Sequence, residues 1–167
     1  MTIENRIITL NEVEKRVAQY IAKRRKAVNA PVRTTPLKKG DEHHDVAELE
    51  GIGGEIAFCK FLNIYPDLTI GPQHGGADCE RGLLIDVKAR RREDGMLLVV
   101  KSKRINAVDA YALMVGTFPK YRFAGWCRAD EVVNPDRLID LGHGETYAIE
   151  QAELTQDFTF PVERSPR

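Results

Sequence analysis

The sequence is poor in cysteine and tryptophan and has no long apolar run, and each shortage argues against a class of protein. The three cysteines are odd in number and widely spaced, which does not suit the disulfide framework of a secreted protein: they are Cys59, Cys79 and Cys127. No stretch approaches the roughly 18 consecutive apolar residues of a membrane-spanning helix. The opening residues, MTIENRIITL, lack the basic and then apolar layout of a secretion signal. We therefore expect a cytoplasmic protein with no membrane partner.

Motifs built on histidine or glycine are also missing. His43 and His44 are adjacent, so they rarely both reach one ion, and no later cysteine or histidine pair has zinc spacing. The glycine-rich run 51–54 is not a phosphate-binding loop, because no strand precedes it and no Gly-Lys-Ser/Thr follows. A polar helix start accounts better for the two histidines, although His44 could assist a site nearby.

The composition fits one folded domain, and its charges are segregated along the chain. The 167 residues are 43% apolar and 30% charged, which indicates a single domain over 1–167. Residues 1–39 hold ten bases against three acids, 40–80 hold one against nine, and 81–104 hold eight against three. Such blocks suit a site that holds a metal cation beside a polyanionic backbone, although solvated faces of mixed charge would give the same counts.

Hydrophobic periodicity predicts a helical first part followed by strands. The predicted elements are helices over 4–28 and 45–62, a connecting segment over 29–42, and strands over 83–89, 96–100, 110–117, 123–127 and 146–149. The strands 83–89 and 96–100 are expected to form a hairpin. The continuous apolar run 110–117 predicts a strand covered on both faces, and 146–149 predicts an edge strand.

These elements predict an α/β or α+β domain with a central mixed β-sheet flanked by helices. Residues 1–40 would supply an N-terminal helix and linker, and 45–127 would form the core. The N-terminal helix either packs on the domain or serves as an appendage for dimer contacts or DNA. The sequence favours the packed helix, because it carries an apolar stripe at helical spacing.

The second predicted helix carries two acids on the edge of its apolar face. At about 100° per residue, Glu48 and Glu55 fall beside Ile52 and its apolar neighbours. A carboxylate on a packing face is costly unless it is paired, protonated or bound to a metal. Gly53 and Gly54 interrupt the pattern, and the close approach of another element would explain them. A helix that begins only near residue 51 would leave Glu48 outside it.

The strand 83–89 presents charged groups on one of its faces. Since side chains alternate along a strand, Asp86, Lys88 and Arg90 share one face, and apolar residues take the other. Asp78 stands eight residues earlier, where a glycine-rich turn leads into the strand. Two acids and a lysine in this order could converge at a bend in a twisted hairpin.

This order of residues resembles the PD-(D/E)XK nuclease superfamily. The resemblance covers residues 45–127 and rests on an acidic helix, Asp78 at a turn, and Asp86-Val87-Lys88 on the next strand. Ala77 stands where the motif has proline, and Asp86 is the rarer acid at its position. The compact chain with basic blocks is similar to small phage and prophage endonucleases, including junction resolvases.

The resemblance implies a restriction-endonuclease-like core and an Mg²⁺-dependent DNA endonuclease, with Mn²⁺ as a substitute. It implies that Asp78, Asp86, the Val87 carbonyl and Glu55 bind the metal, and that Lys88 joins these acids in catalysis. Candidate DNA contacts are Arg90, Arg91, Arg92, Lys101, Lys103 and Arg104. The expected setting is a bacterial or phage-infected cell, where a homodimer would suit cutting of both strands.

Other interpretations of the same residues remain open. Asp86 and Lys88 could form only a surface ion pair, and Glu55 could be a structural salt-bridge partner, even of Lys88. Arg90 could be a solvated strand residue, and Glu48 is the weaker candidate as a ligand. For the whole chain, the alternatives are a catalytically inactive nucleic-acid-binding or assembly protein and a small regulatory or structural protein whose charges lie only on its surface.

Overall fold

Two β-sheets and three α-helices make up the part of the chain that the structure, a computed structural model, describes. That part comprises residues 7–29, 41–71, 76–101, 107–142 and 144–157, with the side chains of 41–44 excluded. In chain order the elements are β1 (Ile7–Thr9), α1 (Glu12–Asn29), α2 (Asp41–Leu62), β2 (Cys79–Glu80), β3 (Leu84–Arg90), β4 (Leu97–Val100), β5 (Ala110–Thr117), β6 (Lys120–Arg128), α3 (Ala129–Val132), β7 (Leu138–Asp140) and β8 (Glu145–Ile149).

The larger sheet is mixed and has the strand order β1-β6-β5-β3-β2. Its central strands β3 and β5 run parallel, and the other neighbours are antiparallel. The smaller sheet is antiparallel, with the order β4-β8-β7. The expected α+β class with a central mixed sheet is confirmed.

Strand β5 separates two hydrophobic cores. Side chains of alternating residues point to opposite faces of a strand, and both faces of β5 are buried. One set packs with α1 and α2: Ala110, Ala112 and Met114. The other set packs with β4, β8 and α3: Tyr111, Leu113 and Val115. The prediction that this strand is covered on both faces is confirmed, and its bounds are those expected.

The predicted helix over 4–28 is wrong at its start. Residues 7–9 form β1, which pairs with the edge of β6, and the helix begins only at Glu12. The Asn11 side chain accepts a hydrogen bond from the Glu14 amide, and the Glu14 carboxylate accepts one from the Asn11 amide. This reciprocal capping box fixes the helix start, and the sequence Asn11-x-x-Glu14 signals it.

Helix α1 packs on α2 and on the first core, as the favoured interpretation of the N-terminal helix expected. Its buried face differs from the predicted apolar stripe. That stripe includes Val13 and Tyr20, and both side chains are exposed. The residues that face the core are Ala18, Ile21, Ala22 and Arg25. Helix α2 begins at Asp41, so Glu48 lies inside it and a start near residue 51 is wrong. The expected connecting segment 29–42 is thus shorter, and its residues 30–40 lie outside the described part.

The predicted hairpin between 83–89 and 96–100 is wrong. Both edges of β3 are occupied, one by β2 and the other by β5, and β4 pairs with β8 in the second sheet. Leu97 and Val99 on β4 are fully buried in the second core. Burial there outweighs pairing with the nearest strand along the chain, which local turn signals favour.

Strand β8 is the middle strand of the smaller sheet, so the expected edge position of 146–149 is also wrong. The short strands β1, β2 and β7 were not predicted, and β6 is longer than the predicted 123–127. All three cysteines are free and buried, which agrees with the absence of a disulfide framework. Among the helices in the described ranges, none is long and apolar enough to cross a membrane.

Candidate functional site

Asp78 stands where β2 separates from β3. Its amide donates to the Ile85 carbonyl at 2.8 Å, and its carboxylate oxygen Oδ2 accepts from the Val87 amide at 2.7 Å. The Asp78 side chain therefore satisfies the Val87 amide of β3, which lies just beyond the two residues of β3 that pair with β2. The amide and carbonyl of a strand residue point to the same edge, so the Val87 carbonyl leaves β3 on the side of Asp78.

Asp86 and Lys88 form an ion pair on the face of β3 opposite to α1 and α2. Ile85 and Val87 belong to the first core, and alternation turns Asp86 and Lys88 the other way, as predicted. The Lys88 ammonium donates to Asp86 Oδ1 at 2.6 Å. The Asp86 side chain is 3% exposed and that of Lys88 is 24% exposed. The ion pair of the alternative interpretation is therefore confirmed, but its acid is buried and does not lie at the surface.

Glu55 reaches β3 from α2, which packs on the face of β3 opposite to Asp86 and Lys88. A Cβ atom added to Gly54 would stand 2.8 Å from the Ala89 Cβ, so only glycine allows this approach. The close approach predicted at the glycine pair is confirmed. It brings Glu55, whose side chain is 12% exposed, against the sheet.

The charges of the three acids act on one another. Burial and the nearby Asp78 carboxylate raise the pKa of Glu55 to about 8, and Asp86 adds to the rise while Arg25 opposes it. Carboxylates from α2, from the residue before β2 and from β3 thus share one electrostatic environment. The low dielectric of the interior strengthens their repulsion.

Arg25 of α1, which the sequence interpretation missed, is the partner of Glu55. Its guanidinium is buried, with Nη1 3.0 Å from Glu55 Oε2. It also donates to the backbone carbonyls of Asp67 at 2.8 Å and Thr69 at 3.2 Å. The alternative of a salt bridge for Glu55 is confirmed, with Arg25 in the place proposed for Lys88. The helical stripe, extended four residues past Ile21, reaches this position, but an arginine inside a basic run there is typical of a solvated surface.

The arrangement is rich in oxygen donors, but each acid already has a partner inside the protein. Glu55 is held by Arg25, Asp78 by the Val87 amide, and Asp86 by Lys88. In the ranges that the structure covers, no group of three or more His, Cys, Asp or Glu side chains is placed so that it could hold a metal ion. The donor chemistry suits a hard cation, while the side chains are placed for hydrogen bonds within the protein.

A second buried acid, Glu50, has a structural role. Its carboxylate accepts from the Phe118 amide at 2.8 Å and from the Tyr121 hydroxyl at 3.1 Å, and so holds the turn between β5 and β6. The Tyr121 hydroxyl would lie 2.3 Å from a Cβ on Gly53, which explains the second glycine of the pair. No role is predicted for Glu50 from the sequence.

The predicted DNA-contacting residues lie in several places. Arg90 is exposed at the end of β3, and Arg91 Nε lies 3.7 Å from a carboxylate oxygen of Glu50. The other ion pairs of this set are Arg92 with Asp94 and Lys101 with Glu145, all with largely exposed side chains. Lys103 and Arg104 lie outside the described residues.

Glu48 and His44 were the two weaker candidates for the site. Glu48 is half-buried and lines a cavity between α1 and α2 together with Lys23 and Lys26. The side chain of His44 lies outside the described residues.

No protein-family model matches the sequence, and no curated protein or solved structure matches the chain.

Proposed function

We propose that this chain is a metal-dependent DNA endonuclease that hydrolyses phosphodiester bonds, with Glu55, Asp78, Asp86 and Lys88 as its catalytic residues. The observation that carries the proposal is the junction at Asp78. There β2 leaves β3, the Asp78 carboxylate binds the Val87 amide, and the buried Asp86–Lys88 pair follows directly on the same strand. A carboxyl such as Glu55, whose pKa is raised by burial and by neighbouring carboxylates, is typical of functional sites.

The donor set fits Mg²⁺ in its chemistry. Mg²⁺ prefers hard oxygen ligands and keeps several waters, so two or three carboxylates and a carbonyl are sufficient. We assign Asp78, Asp86 and the Val87 carbonyl as ligands, with Glu55 as a further one.

A bound divalent cation would lower the pKa of water and neutralise phosphate charge. The residues of the chain supply the other functions. The Lys88 ammonium is fixed by Asp86 and partly exposed, so it can orient an attacking water and stabilise charge that develops on the phosphate. Asp78 and Asp86 hold the geometry, because both are tied to β3 in the middle of the packed domain.

Cleavage of plasmid DNA by the purified chain tests the proposal. We expect cutting with Mg²⁺ or Mn²⁺ and none with EDTA, and Asp86→Asn should lower the rate at least about 100-fold. The matched control is Asp94→Asn, since Arg92–Asp94 has the same two-residue spacing but lies in solvent. It should leave the rate within about twofold.

The double variant Asp86→Ala, Lys88→Ala is the decisive case. Undiminished cutting by this variant, or cutting that survives EDTA, would exclude the assigned site. Folding of each variant is checked by circular dichroism, so that a lost structure is not taken for a lost catalyst.

One observation favours a second function, a nucleic-acid-binding or assembly protein without catalysis. Every acid of the cluster already accepts a hydrogen bond from a protein donor, and the described residues offer no group of three acids, histidines or cysteines placed to hold a metal. Salt-sensitive binding to duplex, flapped, single-stranded or four-way DNA, without cleavage of any of them, would establish this function instead.

A further inference from the structure

The buried guanidinium of Arg25 joins three separate parts of the candidate site. It reaches Glu55 on α2 and the carbonyls of Asp67 and Thr69 on the segment that follows α2. That segment is also hydrogen-bonded to the acid cluster, because the Asp67 amide donates to the Asp78 carbonyl at 2.7 Å. One side chain of α1 therefore fixes Glu55 directly and Asp78 through a single intervening residue.

The planar guanidinium suits this task better than an ammonium. Arginine stays charged even when buried, and its donors diverge in a fixed fork that can serve a carboxylate and two carbonyls at once. A lysine could neutralise Glu55 but would not hold both carbonyls at defined angles. The 3% exposure of the Arg25 side chain excludes direct contact with a phosphate.

We infer that Arg25 is a positioning residue of the proposed nuclease, which orients Glu55 and Asp78 for a divalent cation and makes α1 an integral part of the active site. The inference rests on the proposed function. Arg25 touches neither substrate nor metal in this role. Replacement of residues that orient metal ligands commonly weakens metal affinity or activity about 10- to 100-fold.

Calorimetric titration of the metal-free full chain with Mn²⁺ tests the inference. We expect Arg25→Lys to weaken Mn²⁺ binding at least about 10-fold, and Arg25→Gln to weaken it further. The matched control is Lys26→Met, which removes the neighbouring ion pair between α1 and α2, to Asp45, outside the acid cluster. It should bind Mn²⁺ within about twofold of the wild type.

Steady-state cleavage adds a reading that a purely structural role would not change. In Arg25→Lys we expect kcat to fall about 10-fold or more while KM for DNA stays constant, because Arg25 makes no contact with DNA. Circular dichroism establishes that the compared variants are folded, and Arg25→Gln serves should Arg25→Lys fail to fold.

The outcomes separate the two proposals. If the wild type binds Mn²⁺ and Arg25→Lys binds it equally well, the positioning role is overturned and the proposed nuclease stands. If the wild type neither binds Mn²⁺ nor cleaves DNA, the proposed function is overturned and this inference falls with it.

Discussion

The molecule contains two ion pairs of equal spacing in opposite surroundings. In Asp86–Lys88 the atoms lie 2.6 Å apart, and the side chains are 3% and 24% exposed. In Arg92–Asp94 the distance is 2.8 Å, and the side chains are 82% and 71% exposed. In the sequence, only the predicted strand 83–89 sets the first pair apart from the second. What distinguishes them is that β3 lies inside the sheet and the residues after it lie in a turn.

The same contrast holds between two regions of the chain. At the junction of α1, α2 and β3, the pair Arg25–Glu55 is nearly inaccessible to solvent, whereas Lys101–Glu145 near the smaller sheet is about half-exposed. Exposed pairs add little to stability, but buried charges carry a desolvation cost that good partners only offset. The buried charges of the first region are therefore no sign of added stability by themselves.

The largest expected effect comes from removal of one buried partner. Arg25→Met leaves Glu55 without its cation in the core. At a pH above the Glu55 pKa of about 8, where the carboxylate is charged, we expect a loss of about 3–5 kcal/mol in the free energy of unfolding. Arg92→Met removes a cation from a solvent-exposed pair, and we expect no measurable change. Urea unfolding of the two variants and of the wild type measures the difference.

Equal stability of these two variants would break the comparison between the regions. It would mean that Glu55 takes up a proton, or that water enters the junction, at little cost. Double replacement by Arg25→Met and Glu55→Gln distinguishes the cases, because the neutral amide should recover part of the lost stability only where the unpaired charge caused the loss.

A smaller effect is expected where α2 approaches β3. A Cβ at residue 54 would meet the Ala89 Cβ at 2.8 Å, and neither group can swing away. Gly54→Ala should therefore cost about 1–3 kcal/mol through overpacking. Gly51→Ala in the same helix meets nothing within 4 Å and should stabilise the protein by about 0.5–1 kcal/mol. Thermal unfolding of the two single variants measures both signs, and stabilisation by Gly54→Ala would contradict the close approach.

Local patterns in the sequence predicted much of the fold, but they could not predict which distant strands pair. The alternation along β3, the two-sided burial of β5 and the close packing at the glycine pair follow from residue type and periodicity. The partner of β4 does not, because β8 lies more than 40 residues further along the chain and no local signal names it. The helix start at Glu12 was signalled by Asn11 and Glu14, but the apolar residues before it suggested a longer helix.

The candidate site also has a part that the sequence predicts and a part that only the packing of the helices reveals. The order of Glu55, Asp78, Asp86 and Lys88 is visible in the sequence, because a short motif and strand alternation specify it. The role of Arg25 is not, since a basic run of four residues at the end of α1 reads as a solvated surface. Only the packing of α1 against α2 selects one member of that run for burial.

The smallest expected effect concerns the exposed charges, and it tests whether they serve a partner instead of the fold. Lys101→Met should leave the midpoint of thermal unfolding unchanged, because its pair with Glu145 lies in solvent. If Lys101 contacts a phosphate, the variant should bind duplex DNA more weakly, and the slope of log K against log salt should fall by about 0.9. Fluorescence anisotropy at several salt concentrations, without divalent cation, measures the slope.

Glu145→Gln is the complementary variant, since it removes the acid that competes with phosphate for the Lys101 ammonium. We expect this variant to bind DNA at least as tightly as the wild type, with the slope retained. An unchanged slope in Lys101→Met would mean that this lysine serves only Glu145. The DNA would then have to lie along other basic residues, and Arg90 and Arg91 near the acid cluster would be the next to replace, because they stand closest along the chain to Lys88.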